Sequence, residues 1–225
     1  MYERERKMFE MKNGDVVLFQ GDSITDGNRG RNQDLNHILG HGYQYILASE
    51  MYADNTGIDF EVINRGESGN RIAQLYGRWK EDCLKLKPTI MSILIGINDC
   101  AQEYFCGNGS LPERYKKIYR YMLDELLEQN PHALIVIMEP FFGESEDEPY
   151  NRYMKTNVPE YAKAAKEIAD EYGAVFVPLQ DIFDEYAKHT DIYKLLWDGV
   201  HPTTGAHQLI ARRWKECVEE KINAR

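Results

Sequence analysis

Short runs of apolar residues alternate with longer stretches of helical periodicity along the chain. Five of these runs are rich in β-branched and aromatic residues, which is typical of strands buried in a parallel sheet. The predicted strands are residues 15–20, 58–63, 89–95, 133–138 and 174–179. Pro178 lacks an N–H group, so the last of these strands suits the edge or the end of a sheet.

The segments between the predicted strands carry apolar residues at spacings of three and four, which is the pattern of one helix face. One such face consists of Ile72, Tyr76, Trp79, Cys83 and Leu86. Further helices are predicted at 42–50, around 115–126, at 157–172, at 179–188 and from Thr204 onwards. The least regular parts are expected at 27–41, 100–112 and 141–150.

Strands that alternate with helices predict an α/β fold of three layers, α/β/α, in which helices cover both faces of a parallel sheet. The chain shows no internal repeat and no linker. Its 225 residues are the size of one α/β domain, so we expect a single domain over 1–225.

Composition and charge narrow the class of protein. Hydrophobic residues make up 43% and charged residues 28%, which fits a globular protein. The net charge of −10 argues against binding to nucleic acid or to an anionic membrane. The chain has no apolar run of transmembrane length, and residues 1–7 lack the apolar stretch of a signal peptide, so a cytoplasmic location is predicted. The four cysteines form no metal-binding motif.

Polar, glycine-bearing loops are the places to look for chemistry. In open α/β sheets, ligands bind outside the carboxyl ends of the strands. Three such loops follow the first three predicted strands, and a fourth lies near the end of the chain. The four loops are residues 21–27, 64–70, 96–99 and 197–202.

The first and last of these loops carry the residues of a hydrolytic site. The hydroxyl of Ser23 needs a base in contact before it can act as a nucleophile. Histidine is suited to that role near neutral pH, and a carboxylate is needed to orient it. Asp198 and His201 supply both groups if the chain turns at Gly199. Taken singly, Ser23 is also explained as a helix cap, and Asp198–His201 as a polar turn.

The two middle loops offer hydrogen-bond donors for a developing oxyanion. Gly69 allows a backbone N–H to approach the substrate, and Asn98 carries a side-chain amide. A turn glycine and an asparagine at the end of a strand are simpler explanations of each residue alone. The order of nucleophile, two donors and acid–base loop is what favours a catalytic site.

These four blocks resemble those of the SGNH, or GDSL-type, hydrolase family. The blocks are Gly21-Asp22-Ser23-Ile24, Gly69, Gly96-Ile97-Asn98-Asp99 and Asp198-Gly199-Val200-His201, with Ile24 where the family name has Leu. The resemblance implies a flavodoxin-like five-stranded parallel sheet, ester hydrolysis, and no metal or other cofactor. It also implies that Ser23 is the nucleophile, His201 the base and Asp198 its orienting group. The oxyanion donors would be the N–H groups of Ser23 and Gly69 and the side chain of Asn98.

A narrower similarity links the chain to the intracellular GDSL-type acetylxylan esterases of bacteria. It rests on residues 21–26, 65–70, 95–99 and 197–202. It implies deacetylation of short xylo-oligosaccharides and a homo-oligomer. Asp22 and Trp197 are candidates for the substrate-binding side of the site. Asp22 is expected to brace its loop by hydrogen bonding, and Trp197 either to stack on a sugar ring or to pack under its loop.

Two other functions stay open from the sequence. One is a lysophospholipase or thioesterase that uses the same catalytic groups on other short acyl esters. The other is a non-enzymatic domain that binds a phosphate or nucleotide between Gly21 and Gly27. This loop lacks both the P-loop lysine and the GxGxxG spacing, which weighs against the second function.

Overall fold

Five parallel strands form one sheet in the order β2-β1-β3-β4-β5. The computed structural model describes residues 9–32, 34–143 and 146–225, so the predictions for residues 1–7 and for 144–145 lie outside the described residues. The strands are β1 (Val16–Gly21), β2 (Glu61–Asn64), β3 (Ile90–Leu94), β4 (Leu134–Met138) and β5 (Val175–Val177). This order is the flavodoxin-like one, so the predicted fold class is confirmed.

Helices cover both faces of the sheet in the described part of the chain. They are α1 (Ser23–Asp26), α2 (Tyr43–Asp54), α3 (Ile72–Gly77), α4 (Trp79–Asp82), α5 (Ile97–Cys106), α6 (Pro112–Gln129), α7 (Pro149–Tyr172), α8 (Gln180–Ala187) and α9 (Thr204–Asn223). Two short 3₁₀ turns lie at Leu84–Leu86 and Ile192–Lys194. None of the described helices has the length and apolar character needed to cross a membrane.

The strands divide their side chains between two cores. Val17 and Phe19 of β1 pack into the core beneath α2 and α9, while Leu18 between them packs into the core beneath α6 and α7. Because successive side chains of a strand point to opposite faces, a central strand that is buried on both faces reads as a continuous apolar run. This explains why the sequence pattern located β1 and β3 within a residue or two.

The prediction of one continuous helix from Ile72 to Leu86 is wrong, because the structure has two short helices and a 3₁₀ turn there. Helix α3 ends at Gly77, and the short helix α4 that follows it ends at Asp82. Tyr76 is exposed rather than buried. The break turns Arg78 inward, where its guanidinium donates to the side chains of Gln20 and Asn70 and to the Arg65 carbonyl. Hydrogen bonds from this half-buried guanidinium thus override the helical periodicity of the sequence.

The segment 100–112 is more regular than its sequence indicates. It contains most of α5, which ends at Cys106 and is followed by Gly107 in the left-handed region with φ of +60°. The sequence did not predict this short helix because two glycines and an asparagine at 107–109 are typical of a loop. Helix α7 also begins earlier than predicted, with Pro149 in its first turn, where a missing N–H costs nothing.

Candidate active site

The carboxyl ends of β1, β2 and β3 bring three of the predicted loops to one edge of the sheet. Strand β1 lies between the other two, so the turn that carries Ser23 is flanked by the loops of Gly69 and Asn98. Backbone contacts join these loops, since the N–H of Glu67 donates to the Gly21 carbonyl over 3.1 Å. The fold therefore gathers the predicted residues at the position where open α/β sheets bind ligands.

Ser23, His201 and Asp198 form a continuous hydrogen-bonded series. The Ser23 Oγ lies 2.8 Å from the His201 Nε2, and the His201 Nδ1 lies 2.7 Å from the Asp198 Oδ2. The residues of the first contact are 178 positions apart in the sequence. The two ring nitrogens of the histidine thus face a hydroxyl on one side and a carboxylate on the other.

The Asp198–His201 turn fixes the carboxylate through its own backbone. The Asp198 Oδ1 accepts the N–H groups of Val200 at 3.1 Å and His201 at 2.8 Å. Burial raises the pKa of Asp198, but the hydrogen bonds from His201 and Val200 outweigh it and leave the pKa below its ordinary value. Gly199 takes a φ of +81°, which a residue with a Cβ rarely adopts, and so permits the tight turn.

Trp197 lies beside this series and is open to solvent. Its ring stacks on the His201 imidazole with centroids 5.5 Å apart and planes inclined by 21°. The side chain is 62% exposed, so it does not pack under its loop. Trp197 therefore shields one face of the imidazole and leaves an aromatic surface at the rim of the site.

The Gly69 loop presents an unobstructed backbone. Gly69 has a φ of +78°, and a Cβ built on it would meet no atom within 4 Å. Among the described residues, the N–H groups of Ser23 and Gly69 donate no hydrogen bond. Both groups are thus available to an incoming oxygen atom.

Asn98 occupies the first turn of α5, next to the Gly69 loop. Its Nδ2 donates to the carbonyl of Asn70 over 3.2 Å, which ties the amide to the residue after Gly69. The next residue, Asp99, is fully buried and accepts the N–H groups of Ile72 and Ser110. Burial raises the pKa of Asp99 to about 6. Asp99 therefore joins the starts of α3 and α5 on either side of the candidate oxyanion donors.

Asp22 is buried beneath the serine. Its Oδ1 accepts the Ile24 N–H over 3.1 Å, while its Oδ2 has no hydrogen-bond partner among the described residues. Burial raises the pKa of Asp22 to about 7. With 1% of its surface exposed, Asp22 braces the turn and presents no open surface to a substrate.

Asp26 is a residue of the site that sequence reasoning left without a role. Its side chain is 4% exposed and takes two hydrogen bonds from the Arg31 guanidinium, at 3.0 and 2.7 Å. It also accepts the N–H and the hydroxyl of Ser68, each at 3.1 Å. Asp26 thereby joins the Ser23 turn to the residue before Gly69. The only sign of this role in the sequence is the position of the Asp26 carboxylate, three residues after Ser23 in the same loop.

His207 behaves differently from a residue on a helix surface. It is half-buried, and its Nδ1 accepts the Tyr43 N–H over 3.2 Å. Burial lowers its pKa to about 4, so the ring is neutral near neutral pH. In the part of the chain that the structure describes, no group of three or more His, Cys, Asp or Glu side chains is arranged to hold a metal ion.

The arrangement has a definite chemical capacity. A hydroxyl in contact with an imidazole, itself held by a carboxylate, is the set of groups that activates a serine for attack on a carbonyl. Free N–H groups beside it can stabilise the oxyanion that such an attack creates. Fold and site together define a flavodoxin-like α/β protein that carries the groups needed for ester hydrolysis.

Comparisons with known proteins agree with this class. Residues 19–209 match the model of the GDSL-like Lipase/Acylhydrolase family. An acetylxylan esterase of Geobacillus stearothermophilus is 36% identical over 204 residues, which cover 88% of this chain and 91% of the relative.

Solved structures extend the similarity to three dimensions. A protein of Parabacteroides merdae described as a GDSL-like lipase superposes with a TM-score of 0.86 at 34% identity, over 93% of this chain and 97% of the other. A catalytic serine-to-alanine mutant of the Geobacillus acetylxylan esterase Axe2 gives 0.79 at 32% identity, over 92% and 95%. The chain belongs to the GDSL-like lipase/acylhydrolase family, and it is a carboxylic ester hydrolase.

Proposed function

We propose that the protein is a serine esterase that removes acetyl groups from short carbohydrates, with acetylated xylo-oligosaccharides as its substrates. The observation that carries the proposal is the hydrogen-bonded series from Ser23 through His201 to Asp198, with contacts of 2.8 and 2.7 Å. We propose Ser23 as nucleophile, His201 as general base and acid, and Asp198 as the group that orients the imidazole.

Acylation begins when the Ser23 Oγ attacks the acetyl carbonyl and the His201 Nε2 takes the hydroxyl proton. The carbonyl oxygen becomes an oxyanion, which the N–H groups of Ser23 and Gly69 and the amide of Asn98 would stabilise. His201 then gives its proton to the departing sugar hydroxyl. The products of this half-reaction are the free sugar and an acetyl group bound to Ser23.

Deacylation repeats the same steps with water. The oxygen of a water molecule attacks the acetyl carbon while His201 takes one of the water protons. That proton then passes to the Ser23 Oγ as acetic acid leaves, and the acid ionises to acetate in solution. Asp198 stays ionised throughout, because its hydrogen bonds hold its pKa below the ordinary value. The His201 imidazole therefore acts as base and then as acid in each of the two half-reactions.

Two observations support a sugar ester as the substrate. The similar Geobacillus protein is an acetylxylan esterase. In this chain, the exposed ring of Trp197 next to His201 gives a sugar an aromatic face on which to pack. A homo-oligomer and a cytoplasmic location stay predictions from the sequence, and sedimentation equilibrium would test the first.

A substrate panel tests the acyl and acceptor classes. We expect kcat/KM to be higher for acetylated xylobiose than for other acetylated sugars, and higher for p-nitrophenyl acetate than for p-nitrophenyl octanoate. Ser23→Ala should abolish turnover of each compound without changing the circular dichroism spectrum. Burst kinetics retained in Ser23→Ala would refute the proposed mechanism, while a preference for octanoyl esters would favour the lysophospholipase or thioesterase alternative.

A further inference from the structure

Four aromatic side chains form a cluster where the end of α5 meets the start of α7. Tyr104 and Phe105 come from α5, and Tyr150 and Tyr153 from α7; we call these four the aromatic platform. The rings of Phe105 and Tyr150 stack with centroids 5.1 Å apart, and Tyr104 lies 5.0 Å from Tyr153. Phe105 is 64% exposed. An apolar surface of this kind, open to solvent, marks a binding region more often than a random surface does.

The aromatic platform borders the candidate active site. The Tyr150 ring packs edge-on against Phe142 at 6.2 Å, and the next residue, Gly143, donates its N–H to the Gly199 carbonyl over 2.9 Å. Gly199 lies in the turn between Asp198 and His201. On the other side, α5 begins beside Asn98, and its rise of 1.5 Å per residue places Phe105 about 10 Å further along the helix. The platform is thus connected to both the acid–base loop and a candidate oxyanion donor.

The aromatic platform offers hydroxyl groups as well as ring faces. The hydroxyls of Tyr104, Tyr150 and Tyr153 make no hydrogen bond to another described residue. Burial, with smaller effects of Cys100 and the Asp198 carboxylate, raises the pKa of Tyr150 to about 12, so its hydroxyl keeps its proton. Tyrosine combines a large rigid apolar face with a polar tip. A sugar ring, with its C–H face and its peripheral hydroxyls, is complementary to that combination.

The charges around the aromatic platform favour an uncharged ligand. Burial is the largest cause of the raised pKa values of Tyr150 and Tyr153, and Cys100 is the second. The Asp198 carboxylate adds to the shift of Tyr150, and the Glu103 carboxylate adds to that of Tyr153. The neighbouring cation, Arg152, is paired with Asp147 at 3.0 Å. A phosphate or carboxylate ligand would be repelled by these carboxylates, whereas a neutral sugar meets no such repulsion.

We propose that the aromatic platform is a subsite for the sugar leaving group, one or more rings away from the ester bond that Ser23 attacks. This inference rests on the proposed esterase function, because the platform acts on the alcohol side of the ester. In this proposal, an acetyl group or a p-nitrophenyl ring held at Ser23 makes no contact with Phe105, which lies about 10 Å along α5 from Asn98. The platform therefore contributes to binding only for substrates that carry neighbouring sugar rings.

Paired substitutions at Phe105 test the subsite. Phe105→Leu keeps an apolar side chain but removes the ring face, and Phe105→Tyr retains the ring. We expect Phe105→Leu to raise KM for acetylated xylotriose about two- to tenfold, and to leave p-nitrophenyl acetate unchanged. Phe105→Tyr should behave as the unmodified protein does. Tyr186→Leu, at an exposed aromatic residue of α8, is the matched control and should change neither substrate.

Three results would overturn the subsite. The first is an unchanged KM of Phe105→Leu for acetylated xylotriose, and the second is an equal change for both substrates. The third is an altered oligomeric state of Phe105→Leu without substrate discrimination, which would make the platform a contact between copies of the chain. A separate experiment tests the esterase mechanism itself: turnover of p-nitrophenyl acetate by Ser23→Ala would refute that mechanism, whatever the Phe105 variants show.

Discussion

Single residues at the carboxyl edge of the sheet make separate sets of hydrogen bonds. Ser23, His201 and Asp198 are arranged for proton transfer, whereas Asn98 is held by the Asn70 carbonyl with its amide beside the Gly69 loop. Asp22 lies beneath them and contacts the backbone of its own turn. The contribution of each side chain is therefore open to a separate measurement.

Removal of the Asn98 amide should slow the chemical step. We expect Asn98→Ala to lower kcat for p-nitrophenyl acetate about 10²–10³-fold, because one of the three proposed oxyanion donors is lost. Asn130→Ala is the matched control, since Asn130 donates to the Pro88 carbonyl, away from the catalytic loops, and should leave kcat unchanged. A loss of less than about threefold in Asn98→Ala would remove Asn98 from the oxyanion hole.

The buried carboxyl of Asp22 should make stability depend on pH. Because its pKa is raised from 3.8 to about 7, the folded chain holds a proton between these pH values that the unfolded chain releases. The contribution of Asp22 to stability therefore falls as the pH rises through this interval, by about 1.4 kcal/mol per pH unit. Asp99 and His201 face this carboxyl, the first raising and the second lowering its pKa.

Asp22→Asn removes this titration and keeps the shape of the side chain. We expect its free energy of unfolding, relative to that of the unmodified protein, to rise between about pH 4 and pH 7 and then to level off. Urea titrations at several pH values measure the difference. A difference that does not depend on pH would contradict the raised pKa of Asp22.

At the scale of elements, the loops after β1 and β2 act as one unit. Asp26 holds Ser68 and Arg31, and the Asn64 side-chain amide donates to the carbonyls of Thr25 and Leu39. A Cβ on Gly66 would lie 2.3 Å from the Asp26 nitrogen, which shows how closely the two loops approach. The position of Gly69 is therefore set by the turn that carries Ser23.

Asp26→Asn should loosen this unit. We expect the free energy of unfolding to fall by about 1.5–3 kcal/mol, because charge-assisted hydrogen bonds from a guanidinium to a buried carboxylate are lost. We also expect kcat to fall more than KM rises, since Gly69 would shift from its proposed place beside the oxyanion. Glu81→Gln breaks an exposed pair with Lys85 and should cost at most about 1 kcal/mol. An unchanged kcat in Asp26→Asn would show that the loops do not depend on Asp26.

The sequence predicted elements best where one pattern determined them. Central strands such as β3 are apolar throughout, so their position was evident, whereas the break after Gly77 depends on distant partners of Arg78. His207 of α9 is likewise held by a distant residue, since it accepts the N–H of Tyr43, which lies 164 residues earlier in the chain. Contacts of that kind leave no periodic signal, and those of Arg78 account for the break in the helix face predicted from Ile72 to Leu86.

At the scale of the whole molecule, the candidate active site and the chain terminus contact opposite ends of the strands. Ser23 and His201 meet at the carboxyl edge, whereas Asp15 precedes β1 at the opposite edge and accepts two hydrogen bonds from Arg225, at 3.0 and 2.9 Å. The sequence could predict the meeting of Ser23 and His201 only through the order of the four blocks. No spacing within the chain indicates that residues 178 positions apart share a hydrogen bond.

Covalent labelling of the chain by a fluorophosphonate tests the central claim most directly. The hydroxyl of Ser23, activated by His201, should displace fluoride and give one adduct per chain, which peptide mapping by mass spectrometry would assign to Ser23. Ser23→Ala should take up no label, and His201→Ala should react far more slowly. An adduct on another residue, or equal labelling of Ser23→Ala, would contradict the account.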